Sequence, residues 1–190
     1  MANFRTMAFS ELKGHGFLAA FLAVERMSNR ETFEKVMALS PRTKALHDKK
    51  EIMSSGWYPI DIYAEFHSAL RTVLGPGAAV RVGRETTIAD VNSIFRFVLH
   101  LFSPESLAKF APRVFRTYCR GPEAVMESST PNSMQAHFFN FSGATQGIYE
   151  EFMSGTATFV ELGGGKNCRF EVIDGGKDGD TSVRFKLLWD

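Results

Sequence analysis

A chain of 190 residues can remove roughly 70% of its unfolded surface from water, so a core is within reach without staples. Twenty-two Lys and Arg against 21 Asp and Glu leave a formal charge of +1, which gives no global field for nucleic acid or an anionic membrane. Only two cysteines occur, Cys119 and Cys168, which argues against a disulfide framework or a thiolate zinc cluster and suits a reducing, cytoplasmic setting.

The 18 Phe, beside 4 Tyr and 2 Trp, point to an interior dominated by aromatic packing. The first apolar run, Phe17 to Val24, is too short to span a bilayer, is bounded by Glu11 and by Glu25 and Arg26, and lacks a cleavage pattern. It reads as a core helix. Residues 1 to about 56 read as short helices, with Phe17, Phe21 and Val24 on one face and Phe33, Val36 and Met37 on another. Pro41 opens a new helix after Ser40. Trp57-Tyr58-Pro59 breaks the chain ahead of a helix from about Pro59 to Leu74, which Gly75-Pro76-Gly77 ends.

A helix over about 79–101 carries Ile88, Val91, Phe95, Val98, Leu99 and Phe102 on one stripe. Ser103-Pro104-Glu105 joins a capping hydroxyl, a first-turn proline and an acid at the positive end of the helix dipole, and so starts a helix to about Tyr118. Leu107, Phe110, Val114 and Tyr118 form its apolar side, and Arg113, Arg116 and Arg120 its basic face. After Gly121-Pro122 the period shifts towards two. Glu123 to Ser129 and Met134 to Phe141 read as strands joined by a turn at Thr130-Pro131-Asn132-Ser133. Thr145 to Leu162 returns to helix, with Ile148, Phe152, Gly155, Phe159 and Leu162 on one face, Gly155 allowing close approach to the sheet. The last 25 residues form a hairpin in which Cys168, Phe170, Val172 and then Val183, Phe185, Leu187 face the core. The expected architecture is one α+β domain over 1–190, helical over 1–120, with sheet plus helix over 121–190 in the order strand-strand-helix-strand-strand.

Chemical motifs are few. Gly163-Gly164-Gly165-Lys166-Asn167 lacks the strand before, helix after and hydroxyl behind Lys that a phosphate loop needs. Asp174, Asp178 and Asp180 miss the ligand spacing of a calcium loop and read as a polar turn. Glu150 and Glu151 point about 100° apart on a helix and read as solvated or rim residues. His15, His47, His67, His100 and His137 show no metal spacing, and no Gly-x-Ser-x-Gly elbow occurs. No catalytic residue, metal site or cofactor is expected.

Lys13-Gly14, Trp57-Tyr58-Pro59, Phe102-Ser103-Pro104-Glu105, the stretch from Ala111 to Tyr118 and the terminal Phe185-Lys186-Leu187-Leu188-Trp189 resemble a myxobacterial family of unknown function of about this length. That family is in turn similar to a superfamily of vinyl-reductase-type ligand-binding domains, haem-based nitric-oxide sensors and vesicle-tethering subunits. The resemblance implies N-terminal helices packed on an antiparallel sheet interrupted by one helix. It also implies a cavity bounded by Phe95, Leu99, Phe102, Phe110, Phe115, Tyr118 and Phe152. The haem sensors of that superfamily use a helix histidine and a Tyr-x-Ser-x-Arg motif. Ser106 to Tyr118 holds no histidine and the motif is missing, so haem is not carried over; neither is zinc, which relatives hold with several cysteines. The expected function is a non-enzymatic signalling or regulatory module that binds an apolar small molecule or a partner protein. Arg113, Arg116 and Arg120 are its candidate partner dock, and a homodimer is its expected assembly. The alternatives are a structural adaptor whose pocket is filled by its own side chains, and an enzyme without a recognisable motif.

Overall fold

The computed structural model describes residues 10–91, 99 and 101–190. The helical part begins with a short strand β1 (Glu11–Lys13), then helices α1 (Gly14–Met27), α2 (Arg30–Ala38) and α3 (Pro41–Asp48). Strand β2 (Trp57–Pro59) leads into α4 (Ile60–Leu74) and α5 (Ala78–Asp90). Helix α6 (Pro104–Tyr118) runs directly into strand β3 (Cys119–Arg120). The rest is β4 (Glu123–Thr130), β5 (Ser133–Phe139), α7 (Gln146–Leu162), β6 (Arg169–Gly175) and β7 (Val183–Leu188). This is an α+β fold with the expected strand-strand-helix-strand-strand order in its second half.

Local chemistry accounts for most boundaries. Asn29 caps α2 by accepting from the Thr32 amide at 2.8 Å, and Ser103 caps α6 by accepting from the Ser106 amide at 3.2 Å, with Pro104 in the first turn. Asp178, from the polar turn between β6 and β7, accepts from the Gln146 amide at 2.8 Å at the start of α7. The four-stranded antiparallel sheet has the order β4-β5-β7-β6. Sequence periodicity misses a second sheet, β2-β1-β3, because its strands are only two or three residues long. It ties residues 11–13 to the end of α6 through the pairs Leu12 with Cys119 and Glu11 with Arg120.

The core is aromatic, as the composition suggests. Phe17, Phe21, Phe33, Tyr63 and Phe66 interlock among α1, α2 and α4, with ring centroids 4.6–6.3 Å apart. Phe115, Phe138, Phe141, Phe152 and Phe185 form a second cluster between α6, α7 and the sheet. Each such pair contributes about 0.5–1.5 kcal/mol beyond the area it buries.

Three expectations need correction. The helix drawn over 79–101 does not run through: α5 ends at Asp90, and Val91 has ψ 84°, outside the helical region. Phe95 and Val98 lie outside the described residues, and Phe102, placed on the buried stripe, is 41% exposed. In the terminal hairpin β7 alternates as expected, but β6 is the sheet edge and Val172 is 50% exposed. Gly155 does permit a close approach, but to α5: a Cβ there would meet Thr87 Oγ1 at 3.0 Å. Gly83 on the facing helix is tighter still, because a Cβ would meet the Glu151 carbonyl oxygen at 2.2 Å. These two glycines let α5 and α7 pack nearly backbone to backbone.

Candidate functional site

Where α1, α5, α6 and α7 converge, side-chain volume runs short. Gly16 and Ala19 of α1, Gly83 of α5, Ala111 of α6 and Gly155 of α7 border a cavity of about 530 Å³. Pockets that hold small molecules span roughly 300–1,000 Å³, so this space is large enough for one. Its apolar wall is completed by Leu12, Val91, Leu99, Val114, Phe115, Phe152 and Phe159.

Two polar arrangements border this space, one buried and one half-buried. The first is the Glu151 carboxylate, on a residue only 7% exposed, which accepts from Tyr63 Oη at 2.8 and 2.9 Å and pairs with His67 Nε2 at 2.6 Å. Burial first, and then the charge of Glu151, push the Tyr63 phenol well above its ordinary pKa, so it stays a donor. The reading of Glu151 as a solvated or rim residue is thereby corrected. Nothing local in the sequence signals this group, since its members lie 84 and 88 residues apart.

The second arrangement is a link across three elements. Asp90, at the end of α5, accepts from Tyr118 Oη at 2.9 Å, and its other oxygen lies 2.9 Å from His15 Nε2 on α1. Burial and the neighbouring Asp90 charge raise the Tyr118 pKa. Tyr118 and Thr117 also border an open outer depression lined by Lys13, His15, Met53, Ser54 and Ser55. The Asp90 link therefore stands between inner cavity and surface. Ser54 Oγ is 3.4 Å from His15 Nδ1.

Leu99, Phe115, Tyr118 and Phe152, named from the resemblance, line the cavity. Phe102 and Phe110 do not: they pair with each other on the surface, ring centroids 5.9 Å apart, and Phe110 is 40% exposed. Arg113, Arg116 and Arg120 are exposed, as a partner dock requires. Arg113 lies 5.7 Å from the Phe110 ring and Arg120 4.0 Å from that of Trp57, so two of the three guanidinium groups stack on aromatic faces.

No family model and no curated protein matches the chain. Solved structures do. The Fe(II) unliganded H-NOX protein from K. algicida superimposes with a TM-score of 0.68 at 16% identity, covering 94% of this chain and 97% of that one. A point mutant of the same protein gives 0.70 at 17% with the same coverage. An oxygen-binding H-NOX domain related to soluble guanylate cyclases gives 0.63 at 10%, covering 94% and 95%. The fold is the H-NOX fold. It agrees with the resemblance to haem-based sensors at the level of architecture, and identities this low establish architecture alone.

Because the H-NOX structures include iron-bearing proteins, the cavity can be tested for a porphyrin. Among the described residues its lining contains no His or Cys to ligate iron and no Arg or Lys to meet propionates. The one phenol, Tyr118, is protonated and committed to Asp90, and the two charges offered, Asp90 and Glu151, are of the wrong sign for propionates. These residues do not fit haem. Nor do the described residues contain any group of three or more His, Cys, Asp or Glu placed to hold a metal ion. The purified protein is expected to show no Soret band after gel filtration, and a band retained at near-stoichiometric intensity would contradict this reading of the cavity.

Proposed function

We propose that this chain is a non-enzymatic sensor module of a signalling or regulatory system, and that it takes an apolar small molecule into the inner cavity. The observation that carries the reading is the cavity of about 530 Å³, walled by four helices of an H-NOX fold. The alternative, an adaptor whose ancestral pocket is filled by its own side chains, needs closed packing at this place, and the open volume there argues against it. Among the described residues no helix is long and apolar enough to cross a membrane.

The test is to fill the space. Ala19→Phe places a ring into the void from α1. Wild-type protein is expected to bind Nile red, a neutral apolar dye, with one-to-one stoichiometry by fluorescence titration, and the variant to bind it at least about tenfold more weakly. The variant should melt no lower than wild type, because a filled cavity restores the dispersion contacts that an empty one forfeits. Equal dye binding by both proteins would rule out the inner cavity as the site.

A further inference from the structure

The hydrogen-bond inventory of the cavity wall says what chemistry a ligand must bring. Thr86 Oγ1 donates to the Val82 carbonyl at 3.0 Å, Thr87 Oγ1 to Gly83 at 2.8 Å, Thr117 Oγ1 to Val114 at 2.7 Å and Thr156 Oγ1 to Phe152 at 2.8 Å. Tyr118 Oη donates to Asp90. Among the described residues every hydroxyl donor in the wall is thus committed, and the helical backbone amides are engaged in their own ladders. No Lys, Arg or His lines the cavity among the described residues.

What the described part of the wall offers is acceptor capacity and negative charge. Glu151 is closed off, its two oxygens taken by Tyr63 and His67. Asp90 accepts one hydrogen bond at one oxygen and meets His15 with the other. A carboxylate offers about four lone-pair sites, so it can receive more, and its side chain is 24% exposed. A carboxylate at the edge of an apolar wall attracts a cation and repels an anion. From this we propose that the cavity is a site for an apolar molecule bearing a cationic nitrogen, an alkyl- or arylammonium, whose ammonium is received by the Asp90 carboxylate. The proposal rests on the ligand-binding reading above and adds the class of ligand. It reverses the charge preference that a propionate-bearing cofactor would need.

Three matched probes separate the possibilities: para-butylbenzylammonium, para-butylbenzyl alcohol and para-butylbenzoate, titrated calorimetrically at neutral pH and low salt, with Nile red as the neutral reference. The ammonium is expected to bind wild type about tenfold tighter than the alcohol, with the benzoate weakest. Asp90→Asn should bring ammonium and alcohol within about threefold of each other. Tyr118→Phe, which frees a lone pair of Asp90, should keep or enlarge the preference. Ala19→Phe should weaken all three.

Benzoate equal to or tighter than ammonium, or alcohol equal to ammonium, overturns the proposal, and so does a folded Asp90→Asn protein that keeps the full preference. If Asp90→Asn does not fold, the order of the three probes on wild type and on Tyr118→Phe still decides. Binding of Nile red sensitive to Ala19→Phe, with none of the three probes bound, removes the cationic-ligand proposal and leaves the sensor reading standing. Loss of Nile red binding as well removes both.

Discussion

Phe115→Ala is expected to destabilise the protein by about 3 kcal/mol, the low end of the roughly 3–5 kcal/mol seen for truncating a buried Phe. Phe115 stacks on Phe138 with centroids 5.0 Å apart and meets Phe152 edge-on at 5.4 Å and Phe141 at 6.1 Å. At 8% exposure it belongs to the second aromatic cluster, so its loss removes contacts to three rings. It also lines the cavity, and the side facing that space has no partner atoms to lose. Phe17 supplies the contrast, being fully buried and surrounded by Phe21, Tyr58 and Tyr63. Phe17→Ala should approach the upper end of the range, about 5 kcal/mol. Urea unfolding of both variants beside wild type measures the difference. A Phe115→Ala cost below about 1 kcal/mol would place the ring outside the core, and one equal to that of Phe17→Ala would mean that no open space adjoins it.

That Phe115, and not Phe110, is the inward ring of α6 illustrates what the sequence conveys and what it conceals. Both are aromatic residues on one helix, and the periodic pattern built on bulky residues selects Leu107, Phe110 and Val114. The buried face instead runs through Leu107, Ala108 and Phe115, while Phe110 stays outside with Phe102 and Arg113. Pattern reading weights large apolar side chains, whereas a close helix contact or a cavity is marked by small ones such as Ala108, Ala111, Gly83 and Gly155. The same weighting hides the cavity, which is a deficit of volume distributed over four helices. Elements with strong local causes are legible: the Ser103-Pro104 start of α6, the Gly75 stop after α4 and the alternation in β7 all appear where residue chemistry places them. The end of α5 at Asp90 is not, since Ile88, Val91, Phe95 and Leu99 keep a helical spacing regardless of where the backbone turns. Long-range polar groups leave no local trace at all, as with Tyr63, His67 and Glu151.

Removing the acid from that buried group should have one of the largest effects of any single substitution. Glu151→Ala takes the acceptor away from Tyr63 Oη and from His67 Nε2, both on residues at most 2% exposed. Deleting this buried acceptor leaves two buried donors unpaired, each at a cost of about 1–3 kcal/mol. The expected loss by urea unfolding is the two together, about 4 kcal/mol. If unpaired donors are the cause, removing the Tyr63 hydroxyl as well should recover part of the loss. In a double-mutant cycle, Tyr63→Phe and Glu151→Ala together should therefore cost less than the sum of the separate changes by about 1–3 kcal/mol. Additive losses would mean that the hydroxyl and the carboxylate do not act as a unit, and a Glu151→Ala cost below about 1 kcal/mol would mean that the carboxylate is not the acceptor holding α4 against α7.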